Sequence, residues 1–242
     1  MKIGNLKIIA FDLGYTLAYN RREDQYLTFL ESESIIVARE KVERAYHRAD
    51  KTFMRSYHGV LGNPPEFYMP WYIGLVNYYL NLKFDLIKQV KFILEKGENN
   101  SPFWLAFPWT TRVLETLRAQ GYRLALLSNW DLSCRDVLQQ IGVYGYFDHI
   151  LVSSELKVSK PDARIFEHLL EVSNYNPDEI LYVGDNYYDD VIGAAKAGIK
   201  TVLINRFGKL GIEEIQVPYI VENTLELFDL LDSDKLKVTN YP

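Results

Sequence analysis

Lys7-Ile8-Ile9-Ala10-Phe11-Asp12-Leu13-Gly14-Tyr15-Thr16-Leu17 is the stretch on which the fold turns. A mostly apolar, β-type run delivers a carboxylate, Asp12, and then breaks at Gly14, whose backbone tolerates angles that other residues avoid. In open α/β sheets ligands bind at the carboxyl ends of strands, so an acid placed there is a candidate for chemistry. Taken alone, the segment is equally a strand followed by a turn that Asp12 starts. The endings of the later strands decide between the two.

Beyond Leu17 the pattern is helical as far as about Asn100. Val42, Ala45, Tyr46, Ala49, Phe53 and Tyr57 recur three and four apart, with Lys41, Glu43, Arg44, Arg48 and Lys51 between them, which predicts an amphipathic helix. Asn63-Pro64-Pro65 interrupts it. A second, aromatic-rich helix is expected through Trp71, Leu75, Tyr78 and Tyr79, and a third over Leu86 to Leu94, stopped by Lys96-Gly97 and the polar run to Pro102. The block is too helix-rich to belong to a surrounding sheet and reads as an insertion of roughly 80 residues.

From Phe107 helix and strand alternate. Thr110 or Thr111 is a candidate cap for a helix that Gly121 ends. Tyr122 to Asn129 is a strand closing on Ser128 and Asn129, and Asp131 opens a helix that Gly142 ends. A short strand over 149–153 leads to Lys160-Pro161-Asp162 and a helix carrying Ile165, Phe166, Leu169 and Leu170. Glu179 to Val183 is a strand ending in Gly184-Asp185, followed by a helix from about Asp189 to Gly198. Strands at 200–204 and 219–221 and a last helix through Leu225, Phe228 and Leu231 complete the pattern. Such alternation predicts an α/β protein with a parallel sheet covered by helices on both faces. Residues 235–242 are expected to be a loose tail.

Composition narrows the function classes. The 242 residues include 27 Lys and Arg against 32 Asp and Glu, a net charge of −5, which argues against a nucleic-acid partner. The single cysteine, Cys134, cannot form an internal disulfide, and a packed, idle thiol is expected. No signal peptide or membrane-spanning run is visible, so a cytoplasmic protein without a membrane partner is expected. With only four histidines, a histidine-based zinc site is not expected.

Four segments end in polar groups that one sheet rim could gather: Asp12, Ser128 with Asn129, Lys160, and Asp185 with Asp189 and Asp190. Converging carboxylates repel unless a cation intervenes, and oxygen ligands suit Mg2+. A hydroxyl, an amide and a lysine beside them can hold phosphoryl oxygens. An ionised Asp beside them is a candidate nucleophile.

These segments in this order, with Gly193-Ala194 and Ala197-Gly198 after them, resemble the four motifs of the haloacid dehalogenase superfamily over residues 1–17 and about 105–210. The resemblance implies a Rossmann-like core over 1–17 and 103–242, with a helical cap domain at 18–102 inserted after the first motif. It implies Asp12 as nucleophile, phosphoryl contacts from Ser128, Asn129 and Lys160, and Mg2+ held by Asp12, the Gly14 carbonyl and Asp185. Tyr15 and Thr16 fall among the substrate-contacting positions. Spacing to Gly193-Ala194 favours Asp190 over Asp189 as the further acid of the metal site. The implied activity is a Mg2+-dependent phosphatase acting on a small soluble metabolite through an aspartyl phosphate.

One position departs from the pattern. Phosphatases of the superfamily carry a second Asp two residues after the nucleophile as general acid and base; here that position is Gly14. A proton from Tyr15 or a cap residue, a substrate with a good leaving group, or another chemistry could account for it. Dehalogenases of the superfamily also lack that Asp, so a 2-haloacid dehalogenase is the competing reading, and a catalytically weak scaffold binding a partner is the third. The cap aromatics Tyr57, Phe67, Tyr68, Trp71, Tyr72, Tyr78 and Tyr79 are expected mostly in the cap's own core. A few near Phe67–Tyr72 would line a substrate cleft or form a homodimer face.

Overall fold

The computed structural model describes residues 5–98 and 104–232. The expected hinge at 99–102, the 102/103 boundary and the 235–242 tail lie outside the described residues. Eight strands occur among the described residues: Ile8–Phe11 (β1), Ala18–Asn20 (β2), Trp104–Ala106 (β3), Arg123–Ser128 (β4), His149–Val152 (β5), Ile180–Gly184 (β6), Lys200–Ile204 (β7) and Ile220–Val221 (β8). Six of them form one sheet in the order β5-β4-β1-β6-β7-β8, every pair parallel, while β2 and β3 form a two-stranded sheet.

Every residue of β1 and β6 is buried, as a parallel sheet covered on both faces requires. Alternate residues Ile8 and Ala10, Ala125 and Leu127, and Ile180 and Tyr182 form one core cluster with Ile165, Phe166 and Leu169 of the helix Ala163–Ser173. Asp162 caps that helix, its side chain accepting from the Arg164 N–H. Thr110 does not act as a cap. Its hydroxyl donates to the Leu17 carbonyl at 2.7 Å, holding the turn after β1 to the helix Thr110–Ala119. The helix expected from Asp189 is split into a π-turn over Tyr187–Val191 and a short helix Ile192–Lys196.

The chain divides into two compact units, one of 1–19, 105–208 and 214–242 and the other of 20–104 with 209–213. Among its described residues the second contains four α-helices, Arg22–Ser32 (α1), Arg39–Ser56 (α2), Met69–Leu80 (α3) and Leu86–Glu98 (α4). Their core is aromatic: Tyr26, Phe29, Tyr46, Phe53 and Tyr72 are buried, with edge-on contacts such as Tyr26 against Tyr46 at 5.7 Å. Inside it, Arg22 grips both carboxylate oxygens of Asp50, to which the Tyr72 hydroxyl also donates at 2.7 Å. Tyr57, Phe67, Trp71 and Tyr78 stay exposed and Tyr68 and Tyr79 are half-buried, so of the seven aromatics expected mostly in this core only Tyr72 is buried. The inclusion of 209–213 departs from the boundaries drawn on the sequence, for a local reason. His47 Nε2 bonds the Leu210 carbonyl at 3.0 Å, Arg55 donates to the Gly211 carbonyl at 2.9 Å, and Gly211 lies so close to Lys51 that an added Cβ would stand 3.0 Å from its Cβ. No helix among the described residues is long and apolar enough to cross a membrane.

Candidate active site

Register brings the site together. Phe11 pairs with Leu126 on one side and Val183 on the other, so Asp12 leaves β1 level with the ends of β4 and β6. Its N–H donates to the Val183 carbonyl at 2.9 Å, pinning the residue to the carboxyl rim of the sheet. Tyr15 then takes φ of 53°, and the turn closes with the Tyr15 N–H on the Ala18 carbonyl.

Asp12 is buried, and its two oxygens are not equivalent. Oδ1 accepts from Ser128 Oγ at 2.8 Å and from Lys160 Nζ at 2.8 Å. Oδ2 takes no hydrogen bond among the described residues. Lys160 spends all three protons: on Asp12, on Asp190 Oδ1 at 2.7 Å and on the Tyr182 hydroxyl at 3.0 Å. Burial alone would favour the neutral amine, but the Asp12 and Asp190 carboxylates outweigh it and hold the lysine well above its ordinary pKa. Lys160 is therefore a fixed cation, and Tyr182 passes its own proton to the Leu127 carbonyl at 2.7 Å.

Asn129 is engaged differently from the sequence expectation. Its amide donates to the Lys160 carbonyl at 2.9 Å and its Oδ1 accepts the Lys160 N–H at 2.8 Å, so both ends of the side chain hold the lysine's backbone. Asp190 is likewise occupied. Oδ1 takes Lys160 and Oδ2 takes the Asn186 N–H at 2.9 Å, so each oxygen already accepts one hydrogen bond. Gly184 makes room for it: an added Cβ there would stand 2.9 Å from the Asp190 Cβ and closer still to its carboxylate. Gly193 plays the same part beside the cis Lys160-Pro161 bond, where an added Cβ would meet the Phe166 ring at 2.6 Å and Pro161 Cα at 3.0 Å. Asp189 is held by the Asn186 amide at 2.8 Å, and burial, with the neighbouring Asp190 charge, pushes its carboxyl up to about 7.

Among the described residues no three His, Cys, Asp or Glu side chains are grouped to hold a metal. The donor set expected for Mg2+ needs only two carboxylates, since it includes a backbone carbonyl. Asp12 brings a carboxylate to the rim, Asp185 follows the neighbouring strand end, and the Gly14 carbonyl accepts no hydrogen bond among the described residues. All three are hard oxygen donors, so Asp12, Gly14 and Asp185 fit the ion, and Asp190 also holds the Lys160 ammonium. Thr16 is also buried, and its hydroxyl has no partner among the described residues. Cys134 is a buried thiol that burial and the Asp12 charge push up to about 12, too high for a nucleophile.

Tyr182, Asn186 and the two close-approach glycines carry weight that sequence reasoning did not assign them. A tyrosine inside an otherwise aliphatic strand, Ile180-Leu181-Tyr182-Val183, was the one available signal, because a buried hydroxyl needs a partner.

A family model described as haloacid dehalogenase-like hydrolase matches residues 6–198. The chain is 26% identical to the glyceraldehyde 3-phosphate phosphatase of Methanothermobacter thermautotrophicus, over 96% of this chain and 98% of that protein. It is 36% identical to the N-acylneuraminate-9-phosphatase of Mus musculus over 48% of each. Its fold is similar to the crystal structure of a HAD phosphatase from Thermococcus onnurineus, with a TM-score of 0.58 and 23% identity over 94% of this chain and 98% of that one.

Proposed function

The chain belongs to the haloacid dehalogenase-like hydrolases, and we propose that it is a Mg2+-dependent phosphatase acting on a small soluble phosphorylated metabolite in the cytoplasm. One observation carries the reading: Asp12 has one oxygen clamped by Ser128 and Lys160 and the other open at the strand rim. The clamp orients the carboxylate beside a fixed cation, leaving Oδ2 to attack. Attack on phosphorus breaks the P–O ester bond, forms an aspartyl phosphate and expels the alkoxide, which takes its proton from water. Water then attacks that phosphorus, releasing inorganic phosphate and restoring the Asp12 carboxylate.

Bound by Asp12, the Gly14 carbonyl and Asp185, Mg2+ would supply positive charge against the phosphoryl oxygens. Ser128 and Lys160 place a hydroxyl and a fixed positive charge at the same rim, and the Thr16 hydroxyl, without a partner among the described residues, and Tyr15 complete the substrate-facing turn. Asn129 and Asp190 act through Lys160, fixing its backbone and its ammonium respectively. The names of the two phosphatase relatives support phosphorus over carbon–halogen chemistry. Gly14 is the feature that favours the second reading, a dehalogenase, since no carboxyl stands there to protonate a leaving alkoxide.

The test is phosphate release from p-nitrophenyl phosphate and from glyceraldehyde 3-phosphate, with and without Mg2+, beside halide release from a 2-haloacid. Mg2+-dependent phosphate release that Asp12→Asn abolishes is the expected outcome. Metal-independent halide release would replace the phosphatase reading with the dehalogenase.

A further inference from the structure

The helical unit contains a cavity that uses none of the residues assigned above. It has a volume of about 490 Å3 and lies between the N-terminal half of α2, the end of α3 and the 209–213 segment. Its wall carries three cations, Lys41, Arg44 and Arg48, and no carboxylate. They recur at i, i+3 and i+7 and so share one face of α2, spanning roughly 10 Å of helix rise. Val37, Ala45, Leu80 and Leu210 make the rest of the wall largely apolar.

The cations are not neutralised in the usual way. Arg44 is paired with Glu40 at 2.9 Å, one turn back on the helix. Lys41 and Arg48 make no ion pair and no side-chain hydrogen bond among the described residues. Instead the Arg48 guanidinium lies over the Tyr79 ring at 5.1 Å, and Tyr79 is held in place by its hydroxyl on Thr52 Oγ1 at 3.0 Å. A stacked guanidinium keeps its fork of N–H donors available while its orientation is fixed, which is the preorganised form of an anion clamp. The opposite wall is fixed as well, because His47 and Arg55 hold the carbonyls of Leu210 and Gly211.

At the cavity's other end α2 begins at Ala38, a residue with no side-chain group to cap the helix. Its first N–H groups add to the positive field that Lys41 provides. Glu213, whose charge the Arg48 guanidinium feels, does not line the cavity, and it accepts from the Gly211 N–H at 3.0 Å.

From this geometry we propose that the cavity binds a small organic polyanion, with phosphate groups on Arg48 and Lys41 and an apolar or aromatic body against Leu80 and Leu210. Its volume lies in the range that encloses a ligand of that size. Two unpaired cations at opposite ends of one apolar wall select more than one negative charge, and the apolar wall selects an organic body over bare phosphate.

The experiment is isothermal titration of the whole protein with α,β-methylene-ADP, a non-hydrolysable probe, with adenosine as the uncharged control. Wild type is expected to show two classes of site, one lost in Lys160→Met or Ser128→Ala and one retained there. Arg48→Gln and Lys41→Gln should each weaken the retained site about tenfold, and the double variant should abolish it. Arg48→Lys, which keeps the charge but loses the fork, should fall between. Both positions are exposed, and phosphate release by these variants should remain at the wild-type level. A single site that Lys160→Met removes would overturn the proposal, as would a retained site indifferent to Arg48→Gln or one that takes adenosine as tightly as the analogue.

Discussion

Replacing Gly184 with alanine tests whether Asp190 is held where Lys160 needs it. The new methyl would stand 2.9 Å from the Asp190 Cβ and closer to its carboxylate, where ordinary van der Waals contact begins at 3.4 Å. Neither side yields easily. Gly184 ends a fully buried strand, and Asp190 has no exposed surface and is fixed by Lys160 at 2.7 Å and by the Asn186 N–H at 2.9 Å. The carboxylate must therefore retreat by on the order of 1 Å, which breaks or stretches its ion pair with Lys160. Overpacking alone costs about 1–3 kcal/mol, and a buried ammonium that loses a partner costs about 3 kcal/mol or more. A net loss of roughly 3–5 kcal/mol is expected in urea denaturation. A positioning error of that size near a nucleophile costs roughly a hundredfold in rate, so kcat should fall by about that factor. Gly184→Ala with wild-type midpoint and wild-type kcat would refute the view that Asp190 positions Lys160.

Other outcomes are more local. Tyr182→Phe removes the third acceptor of Lys160 and a side-chain donor to the Leu127 carbonyl, so a stability loss of about 1–3 kcal/mol is expected in denaturant melts. Because both carboxylates still hold the ammonium, kcat should drop no more than about tenfold at unchanged KM in steady-state kinetics. Gly14→Asp installs a carboxyl two residues after the nucleophile and should raise turnover of p-nitrophenyl phosphate, by up to ~100-fold if proton donation limits the rate. No change there would mean that the proton already comes from another source. His47 is buried against the Leu210 carbonyl, and burial with the nearby Lys51 charge lowers its pKa to about 4 from 6.5. The unfolded chain binds that proton first as pH falls, so stability should rise with pH between about 4 and 6.5, by roughly 3 kcal/mol in all. A pH series of thermal melts, with His47→Gln flattening the slope, checks the sign.

The sheet was legible because each strand near the site ends abruptly. An apolar run gives way to Asp12, to Ser128-Asn129 and to Gly184-Asp185, and period and polarity change within one residue. The helices of the cap were legible for the same kind of reason, their apolar residues recurring at three and four. Partnership within the site was not legible. Nothing in the order Ser128-Asn129 reveals that the serine faces Asp12 while the asparagine turns to the backbone of Lys160, thirty-one residues on. Asp190 was recognisable as an acid near a rim. That both its oxygens would be spent depends on a lysine from one loop and an N–H from another meeting in three dimensions. The grouping of 209–213 with the helices rests on two backbone carbonyls and a glycine contact, features that no side-chain pattern encodes.

That short segment changes what can be exchanged in this molecule. An insertion carried by one continuous stretch could be cut out at its two ends and replaced by another. Here the chain passes between its two units four times, at 19/20, 104/105, 208/209 and 213/214. A chimera that swapped residues 20–104 alone would strand five residues whose anchors, His47, Lys51 and Arg55, had left with the donor. Grafting has to move both pieces together, and natural drift in α2 is tied to drift in a loop more than 150 residues downstream.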